Sequence, residues 1–197
     1  MKRKEPKIKK EAIITIFLAA IMVFSIFGIM IEGFTSNSQK VFYGKQAFSM
    51  TDNGWVTKIG SKNFIFSYLP EELKDINVSN EIKNIVSEKK EIDFTSEFND
   101  TFKQQIAFIV FDSQQKLSEV NIYLRDGFTA ETEYQKPIIN CNNQSYSVPI
   151  IYLKSGDATA IKSEGNCITI SATSTEDLVR FTEKIIYIIL GIKEERT

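Results

Sequence analysis

The chain has 197 residues, 43% of them apolar, including 15 Phe and 7 Tyr, a composition that excludes a disordered tether. Residues 1–34 hold six bases and three acids; taking these from 24 and 25 leaves 18 and 22, a net of −4 beyond the N-terminal segment. A mildly acidic domain has no reason to seek phosphate backbones, which argues against nucleic acid as a partner.

Ala12 to Ile31 reads AIITIFLAAIMVFSIFGIMI without a charge. As a helix, a run of this length spans about 30 Å, the thickness of a bilayer core. Thr15 and Ser25 are tolerable there because their hydroxyls can bond back to a carbonyl one turn earlier. Glu11 and Glu32 bracket the stretch. A cleaved signal peptide is the competing reading, but Met30-Ile31-Glu32-Gly33-Phe34 offers no convincing pair of small residues for cleavage. A pilin-like prepeptide would want a small residue before the apolar run and an acid a few residues into it, and has neither. Lys2, Arg3, Lys4, Lys7, Lys9 and Lys10 hold the N-terminus on the cytoplasmic side. The expectation is a single-pass cell-membrane protein: 1–11 a cytoplasmic tail, 12–31 a signal anchor in the lipid bilayer, 32–40 a linker. Residues 41–192 then form one extracytoplasmic domain, with 193–197 a polar tail.

Past the linker comes VFYGKQAFSM, then Thr51-Asp52-Asn53-Gly54, then WVTKI. Asn-Gly between two β-rich runs signals a hairpin, since both residues accept positive φ. Gly60-Ser61-Lys62-Asn63 makes a second turn before Phe64–Tyr68, which predicts a three-stranded antiparallel meander. Pro70 opens a short helical piece containing Leu73 and Ile76. Ile82, Ile85 and Val86 predict an amphipathic helix from Ser79 to about Lys89, capped by Ser79 or Asn80.

Ile92–Phe94 reads as a strand, and SEFNDTFK after it is polar. QIAFIVF (Gln105–Phe111) reads as a buried strand, with Asp112-Ser113 capping a helix that carries Leu117, Val120 and Leu124 on one face. The alternative makes Val120, Ile122 and Leu124 a strand of period two. Strands are expected at Pro137–Cys141, Tyr146–Leu153, Ala158–Ser163 and Cys167–Ala172. A last helix starts from a capping box with Thr173 as cap and Glu176 three positions on. It carries Leu178, Phe181, Ile185, Ile188, Ile189 and Ile192, and stops at Gly191. Arg180, Glu183 and Lys184 make it too charged for a second span, so its apolar end predicts burial against a sheet, with a docking face for a partner helix as the alternative. The class is α+β: one mixed sheet, antiparallel at its start, with two or three helices on a face.

Cys141 and Cys167 are the only cysteines, and on the outer side of a membrane a pair reads as a disulfide. Two buried free thiols, a redox pair or a metal role are the other readings; redox chemistry would prefer a C-x-x-C spacing and zinc needs more ligands. The chain has no His, which removes Ser-His-Asp and Cys-His arrangements and the usual neutral-pH base. No Gly-rich phosphate loop or calcium loop is present. Catalytic, cofactor-binding and metal residues are therefore expected to be absent, and no cofactor is implied.

Weaker candidates remain, each with a bland alternative. Asp112, between a presumed strand and helix, could hold a ligand, but reads more simply as a cap. Glu131 and Glu133, near Asp126, could pair for acid/base work or form a solvated loop. Tyr43, Trp55, Phe64 and Phe66 could make an aromatic ligand platform or a core. The sequons at Asn77, Asn99 and Asn143 permit glycosylation without arguing for it. The function expected is a non-enzymatic envelope or surface module that binds another envelope or membrane protein. A tethered sugar- or peptide-binding domain is the alternative, and a carboxylate hydrolase a lesser one.

Overall fold

Gly44, at φ 57°, turns the chain inside VFYGKQAFSM, so that run is two strands and not one. They are β1 (Lys40–Tyr43) and β2 (Gln46–Thr51), followed by β3 (Gly54–Ile59) and β4 (Lys62–Phe66). These pair in chain order as a four-stranded antiparallel meander. The β2–β3 turn is Asp52-Asn53, one residue earlier than the Asn-Gly signal suggested, because Gly54 already pairs with Thr51. A Cβ on Gly54 would lie 2.5 Å from the Phe66 carbonyl oxygen, which explains the glycine. The computed structural model describes residues 40–143 and 147–192. The basic tail, the span at 12–31, most of the linker and the 193–197 tail lie outside the described residues.

A second, five-stranded sheet follows, so the single mixed sheet expected from the sequence is in fact two sheets, within the same α+β class. Its strands are β5 (Glu91–Ser96), β6 (Tyr123–Phe128), β7 (Ile150–Ser155), β8 (Ala160–Glu164) and β9 (Cys167–Ala172), in the order β6-β5-β7-β9-β8. All pairs are parallel except the edge pair β8–β9.

Parallel neighbours need a crossover, and the one joining β5 to β6 is a helix the sequence concealed. QIAFIVF is no strand; it lies inside α2 (Lys103–Ser118), after α1 (Asn80–Val86). Ile106, Ile109, Val110, Ser113, Lys116 and Leu117 form its buried stripe. Phe108 and Phe111 leave that stripe and are 63% and 58% exposed. Asp112 is consequently mid-helix, not a cap. The start is held instead by Asp100, whose carboxylate accepts from the Phe102 N–H at 2.7 Å. The helix keeps Leu117 and ends at Ser118, Asn121 turns at φ 59°, and Val120 and Ile122 lie in neither element, so of the residues of the alternative strand only Leu124 sits in β6.

The last helix, α3 (Thr175–Ile189), is capped by Ser174, whose Oγ accepts from the Asp177 N–H at 3.0 Å, one residue past the Thr173 expected. Leu178, Thr182, Glu183, Lys184, Ile185, Ile186 and Tyr187 are all buried, more than one face of a surface helix would hide. The reason is its place in the middle layer. On one side α3 packs against β9; on the other Tyr187 meets Phe66 (ring centroids 4.2 Å, stacked) and Phe48 (6.2 Å, edge-on) from the meander. One hydrophobic core runs through all three layers.

The opposite face of the five-stranded sheet is crossed by a strap. Pro137–Cys141 is not a strand and makes only an isolated bridge, Ile138 with Phe128. Ile139 donates its N–H to the Phe128 carbonyl (2.8 Å), and its own carbonyl accepts from Thr95 Oγ1 (2.6 Å). Gly127 lets the strap approach, since a Cβ there would sit 2.7 Å from Ile139 Cδ1. Cys141 then bonds to Cys167 of β9, Cα atoms 5.5 Å apart, closing a loop of 26 residues. Ile139, Ile150 and Cys167 form a small core of their own beneath it. Replacing both cysteines by Ala should lower stability by about 2–4 kcal/mol, read from urea unfolding of the oxidised protein. Identical gel mobility with and without reductant would dispose of the bond.

Candidate functional site

In an open parallel sheet, ligands collect at the carboxyl ends of strands where the connections change direction. Here that position lies between β5, whose crossover leads to β6 on one side, and β7 on the other. It is plugged. Asp100, 7% exposed, accepts from both the N–H (2.9 Å) and the Oγ (3.1 Å) of Ser155 at the end of β7.

Beside the plug, over the ends of β5 and β6, an open cleft of about 480 Å³ remains. Phe98 comes from the β5–α2 loop, Phe111 from α2, Phe128 from β6 and Tyr134 from the loop leading to the strap. Phe128 is the hub. Its ring meets Phe98 edge-on at 6.5 Å and Tyr134 at 6.1 Å, and Lys136 Nζ stands 4.9 Å above it. Lys136 is paired with the Asp126 carboxylate at the rim. Phe98, Phe111 and Tyr134 remain 46%, 58% and 55% exposed, a concentration of apolar surface that ordinary solvation does not require. Glu97, also on the rim, accepts from the Tyr152 hydroxyl at 2.9 Å. Burial, and then that carboxylate, hold the Tyr152 phenol well above its ordinary range, so it stays a donor.

The aromatic residues singled out in the sequence are not in this cleft. Phe64 and Phe66 are 2% and 1% exposed, core residues with nothing to offer a ligand. Trp55, cross-strand neighbour of Phe66, and Tyr43 on β1 are half-buried against the same core. Asp112 and Phe66 do share one partner: Lys116 Nζ pairs with Asp112 and lies 5.1 Å from the Phe66 ring centroid. Glu183 completes this junction, accepting from the Ser67 and Tyr68 N–H groups at 2.7 and 3.0 Å. Burial raises the Glu183 carboxyl above its ordinary value, against the pull of the Ser67 N–H and Lys116. The crevice at this junction holds only about 30 Å³, room for about one water. Glu131 and Glu133 are exposed, and Asp126 turns to Lys136 in place of them.

The signals for the real cleft were weak. Phe98 stands in a polar loop with only Phe102 for apolar company, and Phe111 was absorbed into a supposed strand. Among the described residues no group of three or more His, Cys, Asp or Glu could hold a metal ion, and no helix is long and apolar enough to cross a membrane. No known family model, functionally characterised protein or solved structure matches this chain.

Proposed function

We propose that this chain is a single-pass membrane-anchored module whose extracytoplasmic domain binds another envelope protein and catalyses nothing itself. The observation that carries the reading is the cleft at the ends of β5 and β6, where the exposed rings of Phe98 and Tyr134 flank Phe128 and that of Phe111 lines the same space. Aromatic anchors in a concave site, rimmed by charge, are the make-up of interaction hot spots. The rim acids and bases, Glu97, Asp126, Lys103 and Lys136, balance in charge, which suits an apolar segment of a partner more than an ionic ligand. The rim carboxylates hold partners of their own, Glu97 the Tyr152 hydroxyl and Asp126 Lys136, which weighs against a carboxylate hydrolase. The uncharged run at 12–31 supports the tether, and a tether raises the local concentration of membrane-bound partners.

A photo-crosslinking side chain at Phe98, in membranes of cells making the full chain, should yield one discrete protein adduct. Adding Phe111→Ala and Tyr134→Ala should cut its yield at least about tenfold, as for loss of hot-spot contacts. No adduct above that of a probe at Thr51 would overturn the reading. The cleft volume also falls in the range of small-ligand pockets, about 300–1,000 Å³, which favours a sugar or short peptide as the second reading. Under it, added glycans or peptides would slow amide exchange around Phe98 and Phe128 without any protein adduct.

A further inference from the structure

The domain is electrically lopsided. Residues 40–66, the meander, carry Lys40, Lys45, Lys58 and Lys62 against the single acid Asp52, whereas residues 67–192 carry 12 bases and 19 acids. The meander is thus positive and everything behind it strongly negative.

Its two faces also differ. One, with Phe48, Phe64 and Phe66, is buried in the core. The other carries the cross-strand row Lys40–Ser49–Val56–Ile65, with Phe42 two residues along β1 from Lys40. Phe42 is 71% exposed, the most of any large apolar side chain described, and Ile65 is 43% exposed. Lys40, Lys45 and Lys58 are exposed and form no ion pair among the described residues, whereas Lys62 is held by Glu119 at 2.5 Å. No acidic side chain lies on β1, β3 or β4. Apolar side chains interspersed with unpaired lysines are what a peripheral contact with anionic lipid uses: the rings enter the headgroup boundary while the ammonium groups meet phosphate.

We infer that the outward face of the meander rests on the outer surface of the membrane that holds the anchor, with Phe42 and Ile65 inserted and Lys40, Lys45 and Lys58 on anionic headgroups. The chain itself argues for this occupant. Eight residues, 32–39, separate Ile31 from Lys40, a reach of at most about 30 Å, so the first strand starts within that distance of the bilayer. The acidic remainder, repelled by the same surface, then faces away from it. The inference rests on the anchor proposed above.

The test uses the full chain in vesicles of phosphatidylglycerol and phosphatidylcholine, or of phosphatidylcholine alone, with dibrominated acyl chains as quencher. A Phe42→Trp probe in a Trp55→Phe background reads insertion, and Phe108→Trp in the same background is the control. The Phe42 probe should be quenched at least about twofold more in the anionic vesicles, losing the excess when Lys40 and Lys58 become Gln or in high salt. The control should not respond. In the unmodified chain, tryptic cleavage after Lys45 should slow by a similar factor in the anionic vesicles alone, a readout that survives if the Trp variants misfold. If the protein floats with the vesicles but neither readout responds to anionic lipid, the docking is wrong and the anchor stands. If it does not float, the anchor is wrong and the inference falls with it.

Discussion

Glu183→Ala should destabilise the domain by about 3–5 kcal/mol, the range for removing one partner of a buried charge cluster. The carboxylate is 6% exposed and does three things at once. It accepts the N–H groups of Ser67 and Tyr68, where the chain leaves β4, and it faces Lys116. Alanine takes the acceptor from two part-buried backbone donors, bonds to a charged group being worth about 1.5–3 kcal/mol each, and leaves Lys116 with Asp112 alone. Glu183→Gln keeps one acceptor and should recover part of the loss. The pH dependence has a definite sign. Because burial raises this carboxyl, its stabilising contribution is present below its unfolded pKa and declines as pH rises through the folded one. Wild-type stability minus that of Glu183→Gln should therefore be larger at about pH 5 than at about pH 7, in urea unfolding at both. A difference of opposite sign would mean that the two N–H bonds outweigh burial. A loss under about 1 kcal/mol for Glu183→Ala would mean that the meander is not tied to α3 as described.

Phe66→Ala should cost a similar amount, about 3–5 kcal/mol. Its ring is 1% exposed and stacked on Tyr187 at 4.2 Å, with Lys116 on it. Truncation opens a cavity between the meander and the helical layer, and β4 cannot collapse into it while Ser67 and Tyr68 are held by Glu183. Because Phe66 and Glu183 both face Lys116, the double variant should depart from additivity by about 0.5–3 kcal/mol. Circular dichroism against urea measures all three proteins. Near-wild-type stability for Phe66→Ala would put its ring back among the candidates for a ligand platform.

These two residues also mark how far sequence reasoning reached. Phe66 was legible as large and apolar in a strand, but whether it met a ligand or a core depended on Tyr187, more than a hundred positions away. Glu183 was legible only as a charge that spoils a membrane span, because nothing local announces that a carboxylate will cap the end of a strand from another layer. The cleft was less legible still. Its aromatic lining comes from four separate segments, and Phe98 and Tyr134 each stand in a polar stretch.

What the chain itself determined are features whose physics is local or compositional. The turns at Asn53 and Gly60, the helices beginning near Ser79 and Ser174, and the strand at Cys167–Ala172 follow from turn chemistry, side-chain period and capping. The lack of His follows from counting, and the disulfide was read from two cysteines placed on the outer side of a membrane, with free thiols as the alternative that the structure removed. The tertiary structure alone decided that QIAFIVF is a helix and that β-structure divides into two sheets. An uninterrupted apolar run is equally compatible with either conformation, so its local pattern cannot choose. The choice was made by β5 and β6: lying parallel, they require a crossover between them, and the buried stripe of α2 meets that need.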